Sequence, residues 1–247
     1  MNYLIIGASS GLGRDLAYKF SQNSHNVTLV SRDERDLKAL QSDIESKFNS
    51  KVSIYDVDCS SHEKVNAFIN TNLDVFKHLD GVLFPIGMMF DDDTVQNNIL
   101  KTNELLQANY GVVSHIVSTL IKIFEEKNSG CIVGFGSVSA YLGREVNSGY
   151  AASKRALESL FESLAVTNIK KNIKIQFYVL GYLESNMTFG KNLILPKGST
   201  NELANIVYKN INKKYKKIYF PFWWGAISFV LKVLPFVLIK NFIKLIK

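Results

Sequence analysis

The sequence predicts an α/β protein built on a single doubly wound parallel sheet. Three observations carry this expectation. Apolar strand-like runs alternate with amphipathic helical stretches from one end of the chain to the other, a glycine-rich segment follows the first strand, and no repeat or low-complexity linker interrupts the alternation. Strands separated by helices imply βαβ crossovers, and therefore a parallel sheet covered on both faces. With 247 residues, 47% of them hydrophobic and 21% charged, the chain is long and apolar enough for one large core.

Strands are expected at Tyr3–Ile6, Asn26–Val30, Lys51–Asp56, Gly81–Phe84, Gly130–Phe135, Lys174–Val179 and Lys217–Phe220. Helical periodicity fills the intervals near 12–22, 33–48, 61–76, 94–126, 150–168 and 201–212. The first strand opens at the N-terminus and leads into Gly7-Ala8-Ser9-Ser10-Gly11-Leu12-Gly13, after which a helix begins. Glycines at such a turn let the backbone approach a pyrophosphate, and the helix N-terminus offers free N–H groups and partial positive charge. In this setting the loop predicts dinucleotide binding by a Rossmann-type fold. An ordinary strand–helix turn is the alternative.

The second strand ends at Val30-Ser31-Arg32. A carboxylate at this place suits the ribose hydroxyls of NAD, whereas an arginine accommodates a 2′-phosphate. Asp33 and Glu34 follow closely, but no acid stands at the strand end itself. The expected cofactor is NADP(H) in preference to NAD(H).

The most specific pattern is Ser137, Tyr150 and Lys154. Tyrosine and lysine at i and i+4 share one face of a helix expected to start at about Tyr150. A free phenol, with a pKa of about 10, is a poor acid at neutral pH. A neighbouring ammonium favours the phenolate and brings it toward the working range. Ser137, beyond the Gly130 strand, can hydrogen-bond a carbonyl oxygen and orient it.

With these residues assembled, the sequence resembles the short-chain dehydrogenase/reductase family from Asn2 to about Pro221. The resemblance implies that Gly7 to Gly13 forms the cofactor loop and that Asp58 and Cys59 border the adenine. It implies that Asn109, within Gln-Ala-Asn-Tyr-Gly, holds a proton-relay water, and that Asn109, Ser137, Tyr150 and Lys154 are the catalytic tetrad. Lys154 would also hold the nicotinamide ribose. Gly181 to Thr188 resembles the segment lining the nicotinamide, where the Leu183 backbone and the Ser185 hydroxyl would meet its carboxamide. Three positions depart from the family pattern. Phe84-Pro85-Ile86-Gly87 stands in place of Asn-Asn-Ala-Gly, Ile6 in place of threonine and Leu180 in place of proline. Gly87 is retained beside the cofactor, and the bracing lost beneath it falls to apolar packing. The implied reaction is hydride transfer between NADPH and a carbonyl or alcohol carbon, in a homodimer or homotetramer assembled through the helices at 94–126 and 150–168.

Charge is unevenly distributed. The net charge is +7, yet nine lysines and no acid follow Glu202, so residues 1–202 are slightly acidic. That argues against a basic nucleic-acid-binding face on the main domain and fits a basic tail against an anionic membrane. Cys59 and Cys131 read as reduced core thiols. His25, His62, His78 and His115 lack ligand spacing, and no metal is expected. Met1 runs straight into a strand with no leader, which points to the cytoplasm.

The domain expected over 1–221 is followed by an apolar-basic tail over 222–247. The tail opens Phe222-Trp223-Trp224, and Pro235 interrupts it. On a helical wheel Gly225, Ser228, Lys232, Lys240, Lys244 and Lys247 share about half the circumference, with apolar residues on the rest. An amphipathic anchor lying in the plane of the cytoplasmic membrane face is expected, with a subunit-contact helix and a single tilted span as alternatives. The tail resembles those of short-chain reductases of polyprenyl-phosphoryl keto-sugars, and reductases of acyl and steroid ketones carry similar ones. The substrate side is expected over Ser139–Asn147, with a lid over about Thr188–Ser199; polar Arg144, Glu145 and Asn147 lean toward a sugar over a bare hydrocarbon, or else merely solvate a loop. A lipid-linked keto-sugar of surface-polysaccharide synthesis is the substrate these features suggest. The competing readings are a reductase of a fatty-acyl, steroid-like or soluble ketone, and a non-catalytic NADP(H) sensor. The filled tetrad argues against the sensor.

Overall fold

The computed structural model describes residues 1–90, 99–143, 146–190, 193, 195–235 and 237. Seven parallel strands form one sheet: β1 (Asn2–Ile6), β2 (Asn26–Ser31), β3 (Val52–Asp56), β4 (Gly81–Phe84), β5 (Gly130–Ser137), β6 (Ile173–Leu180) and β7 (Lys216–Phe220). Their order is β3-β2-β1-β4-β5-β6-β7, so the direction of winding reverses between β1 and β4. A crevice at the C-terminal ends of the strands at such a switch point is where this architecture binds ligands.

Alternation along each strand divides the core in two. Leu4 and Ile6 face one layer while Tyr3 and Ile5 face the other, all of them buried. Helices α1 (Gly11–Gln22), α2 (Glu34–Lys47) and α8 (Thr200–Asn210) cover the second layer, because Leu12, Leu16 and Phe20, and likewise Leu37, Leu40 and Ile44, recur at helical spacing. The first layer is covered by α3 (His62–Thr71), α4 (Leu73–Lys77), α6 (Val112–Glu126) and α7 (Ser148–Thr167). Helix α5 (Ile99–Leu106) joins α6 through a π-turn at Gln107–Gly111.

The expected elements are present with shifted boundaries. Strands β5 and β6 run on to Ser137 and Leu180, and α7 begins at Ser148 rather than at Tyr150. The single helix expected over 61–76 is two, because Asn72 leaves helical geometry and its side-chain amide donates to the Phe68 carbonyl at 2.9 Å. The start of the helix expected from 94 lies outside the described residues. Both cysteines are buried free thiols, and burial pushes each up to about 12, so neither is reactive at neutral pH.

A last helix, α9 (Trp224–Val233), follows β7. Trp224 and Ser228 point into the protein, with Ser228 wholly buried and Lys232 reaching Glu158 from the rim, while Phe229 is 68% exposed and Val233 65%. The polar stripe therefore lies on the side nearer the protein, and Phe229, Val230 and Val233 face out. Among the described residues, no helix is long and apolar enough to cross a membrane. Lys240, Lys244 and Lys247 lie outside the described residues.

Candidate active site

The candidate residues lie in the segments that follow the C-terminal ends of β1 to β6, with Asn109 in the π-turn before α6 and Tyr150 and Lys154 on α7. After β1, Gly7 adopts φ +93° and Gly11 φ +48°, conformations that favour glycine. The Gly7 and Ala8 amides donate to the Val30 carbonyl at 2.8 and 3.1 Å, folding the loop over the end of β2. A Cβ on Gly13 would lie 2.0 Å from the Gly7 carbonyl oxygen, and one on Gly7 would lie 2.8 Å from the Ile86 Cα. Bracing between the loops after β1 and β4 is thus direct backbone contact, in place of the side-chain bracing that the departures at Ile6 and Phe84–Ile86 removed. Gly13→Ala is expected to lower stability by about 1–3 kcal/mol through overpacking against rigid backbone. A drop in the urea midpoint at unchanged m-value, together with weakened dinucleotide binding, checks this.

Ser10 caps α1 without a side-chain bond to its amides, and the first turn carries no acid. In contrast, Asp33 caps α2 by accepting from the Asp36 amide at 3.1 Å. The N–H groups at the start of α1 are left for another acceptor, and this suits a pyrophosphate. Leu12 is buried inside the turn, and the Ser9 hydroxyl accepts from that of Ser31 at 2.8 Å, tying the loop to the end of β2. Arg14 grips the Ser9 carbonyl at 2.8 Å and sets a second cation beside the loop, a residue that no sequence signal singled out.

Arg32 is exposed beyond Ser31, with no ion pair among the described residues. Of the neighbouring acids, Asp33 caps α2 with one carboxylate oxygen, and Glu34 forms an exposed pair with Lys38 at 2.7 Å. After β3, Asp58 accepts from the Ser60 amide and hydroxyl at 3.0 and 2.7 Å, and the Ser60 hydroxyl, more than the nearby cations, holds its carboxyl below the usual range. Cys59 is buried behind it.

Around the reaction centre, the Ser137 hydroxyl oxygen accepts from the Ser139 amide at 3.2 Å and from the Ser139 hydroxyl at 2.9 Å. The sequence places Ser139 at the edge of the substrate side without any sign of these two contacts with Ser137. Lys154 is 3% exposed, and its ammonium donates to the main-chain carbonyls of Phe135 and Ile86 at 3.1 and 3.2 Å. The same nitrogen is 5.9 Å from the centre of the Tyr150 ring and lies within 3.8 Å of where a Cβ on Gly87 would be. Desolvation lowers the Lys154 pKa to about 8. Asn109, fully buried in the π-turn, is wholly engaged at its amide. It accepts from the Met88 amide at 2.7 Å and donates to the Met88 carbonyl at 2.9 Å and the Ser153 hydroxyl at 3.0 Å. Its side chain thus ties the turn before α6 to the loop after β4 and to α7.

The segment from Gly181 folds back across the crevice. A Cβ on Gly11 would lie 3.9 Å from that of Ser185, and one on Gly87 would lie 3.3 Å from the Met187 methyl. Leu183 is buried and bridges to Gly198, while the Thr188 hydroxyl accepts from the Ser185 amide at 3.3 Å. Of the polar residues assigned to the substrate side, Arg144 and Glu145 lie outside the described residues. Asn147 donates to the Phe90 carbonyl at 2.7 Å, so its amide is at least partly structural. Within the expected lid, Lys197 ties back to the Thr188 carbonyl at 2.7 Å. Residues 191, 192 and 194 lie outside the described residues.

Residues 2–193 match the short chain dehydrogenase family. Over 243 residues the chain is 28% identical to 11-beta-hydroxysteroid dehydrogenase-like 2 of Arabidopsis thaliana, covering 94% of this chain and 77% of that one. It is 26% identical over 187 residues to a 3-oxoacyl-acyl-carrier-protein reductase of Chlamydia muridarum, covering 76% of this chain and 75% of the other. A short-chain dehydrogenase from Sphingobium yanoikuyae, solved in complex with NADPH, superimposes with a TM-score of 0.81 at 20% identity over 95% of this chain and 96% of that one. At that identity the shared feature is the fold.

Proposed function

The chain belongs to the short-chain dehydrogenase family and is an oxidoreductase of alcohol and ketone groups, and from that premise we propose that it reduces a lipid-associated ketone with NADPH at a membrane surface. The observation that carries the catalytic reading is Lys154. A buried ammonium is expensive unless paired with an opposite charge. Among the described residues this one meets two carbonyls and the neighbourhood of Tyr150 but no carboxylate, a perturbation characteristic of functional sites.

When bound, the dinucleotide supplies the hydride. Gly7, Ser9, Ser10, Gly11 and Gly13 would hold its pyrophosphate at the start of α1, Asp58 and Cys59 its adenine, and Leu183 and Ser185 its carboxamide. Tyr150 donates a proton to the ketone oxygen, and Lys154 eases that donation by favouring the phenolate. Ser137 orients the same oxygen. Two donations from Ser139 occupy its lone pairs and leave the Ser137 hydrogen for substrate. Water on the main chain at Asn109 would return a proton through Lys154. Because these groups are fixed before substrate arrives, their contribution is orientation and charge stabilisation.

NADPH is favoured over NADH because Arg32 is uncommitted while Asp33 and Glu34 are engaged elsewhere. Hydrogen bonds to charged groups contribute about 1.5–3 kcal/mol. Arg32→Ser is therefore expected to raise the KM for NADPH by about 10- to 100-fold and leave that for NADH nearly unchanged. Parallel titrations with the two cofactors check it.

The outward apolar face of α9 favours attachment to a membrane, with residues 222–247 as the attaching segment and 1–221 as the catalytic domain. Substrate drawn from that surface would be a lipid-linked ketone, a keto-sugar among the candidates. Subunit contacts of a dimer or tetramer are assigned to α5–α7, where Ile99 and Val166 are exposed. The test offers the purified full chain a lipid extract and, separately, soluble metabolites, with NADPH oxidation as readout, NADH as cofactor control and Tyr150→Phe as the blank. Turnover with the lipid extract alone supports the reading. Turnover confined to soluble metabolites sinks the lipid-associated substrate.

A further inference from the structure

One carboxylate outside the reaction centre gathers partners from three elements. Glu158 follows Lys154 by one turn of α7 and is 7% exposed. The Tyr141 hydroxyl donates to its Oε1 at 2.8 Å, and Lys217 of β7 donates to the same oxygen. Lys232 of α9 brings its ammonium to 3.5 Å from that atom and 4.1 Å from the centre of the Tyr141 ring. Lys217 also reaches Glu162 at 2.8 Å. Burial alone would depress the Lys217 pKa, but its bonds to Glu158 and Glu162 outweigh that and hold it above the ordinary lysine value.

Exposed ion pairs contribute little, and a fastening of that kind would carry no further meaning. Here the shared carboxylate of Glu158 is buried, although Lys232 reaches it from the rim with 40% of its side chain exposed, and the cluster joins elements that matter to the reaction. Tyr141 closes the 3-10 turn Val138–Tyr141, which starts immediately after Ser137. Helix α7 carries Tyr150 and Lys154. At the other end of α9, Trp224 fills the space beside Gly181, where a Cβ would come within 1.8 Å of its indole nitrogen, and Tyr182 packs edge-on against it at 5.3 Å. Helix α9 therefore touches both segments that flank the reaction centre, the turn after Ser137 and the stretch from Gly181.

We infer that Glu158 is a positioning residue that, through Tyr141 and Lys232, locks the C-terminal helix onto the turn following Ser137, so that docking of α9 sets the geometry of the serine. The inference rests on Ser137 acting in the reaction centre as proposed above. Removing the carboxylate itself would leave Lys217 buried beside Glu162 alone and risks the fold, so the test works through the two milder partners.

The chain has two tryptophans, Trp223 and Trp224, both at the start of α9, so intrinsic emission reports docking of this helix without reference to turnover. Tyr141→Phe, Lys232→Met, the double variant and Lys232→Arg are compared for emission and for NADPH oxidation with an acetoacetyl thioester as probe. Contacting residues in one network show strong non-additivity. Lys232→Met is expected to shift emission to the red and to lower kcat about 3- to 10-fold with the KM for NADPH unchanged, in line with the sensitivity of rate to small misplacements. The double variant should be no worse than the worse single one, and Lys232→Arg should restore both readouts. Independent, multiplying effects of the two substitutions overturn the clamp, and so does a shifted emission with unaltered kcat. If the unaltered protein does not reduce the probe, kcat is read with the lipid extract instead; failure with both counts against the ketone reading, and the emission cycle then decides whether Glu158 couples Tyr141 to the docking of α9.

Discussion

Replacing Tyr150 by phenylalanine should lower kcat for ketone reduction by about 10²- to 10⁴-fold, the range associated with a positioned general acid, while NADPH binding and fold stability change little. The ring stays, so its half-buried packing on α7 is kept, and only the hydroxyl is lost. No other described phenol can replace it at that place. Tyr141, four residues after Ser137, is turned away toward Glu158 and Tyr219, and burial with those two contacts holds its proton far above neutral pH. An equal loss in kcat and kcat/KM would mark an interaction made only in the transition state. Single-turnover measurement with pre-bound NADPH separates this from slow product release. Retention of full turnover would remove Tyr150 from the chemistry and with it the proton path through Lys154.

Much of this arrangement could be read from the chain because its signals are local. The glycine loop, the end of β2 and the Tyr150–Lys154 spacing each lie within a few residues, and the sheet follows from alternation along the sequence. Boundaries drifted where side chains rather than periodicity decide them, as at Asn72, whose amide ends α3. What stayed hidden depends on contacts between distant positions. Ser137 carries no mark that Ser139 will orient it, and nothing around Asn109 announces its bonds to Met88 and Ser153. The clamp joins residues separated by 17 and 59 positions. The wheel for α9 found two faces correctly, but a single sequence cannot say which face meets protein, and here the buried partner Glu158 draws Lys232 inward. The contacts of Ser139 and Glu158 became visible only once the fold had brought their partners together.

Substituting Lys154 by methionine should move activity and stability in opposite directions. Activity should fall about 10²-fold or more, since both the charge beside Tyr150 and the link to the proton path are lost. Stability at pH 7 should nevertheless rise. In the unfolded chain this lysine titrates at about 10.4. In the folded protein burial lowers it to about 8. Below pH 8 both states are protonated, and the folded state bears the full penalty of the buried charge. Between the two values the unfolded state binds more protons, so stability of the unaltered protein climbs with pH through that window. A depression of this size corresponds to a penalty of about 3 kcal/mol, partly offset by the two carbonyl hydrogen bonds that methionine cannot make. A net gain of about 1–3 kcal/mol is expected at pH 7, in keeping with apolar replacement of other buried ionic groups. The gain should shrink toward zero as pH approaches 10, where the native lysine is already neutral. Urea denaturation of both proteins at pH 7 and pH 9.5 reads the sign and its decay. A methionine variant that is less stable at pH 7 would mean that the ammonium is a structural support, and the argument that its burial serves catalysis would fail with it.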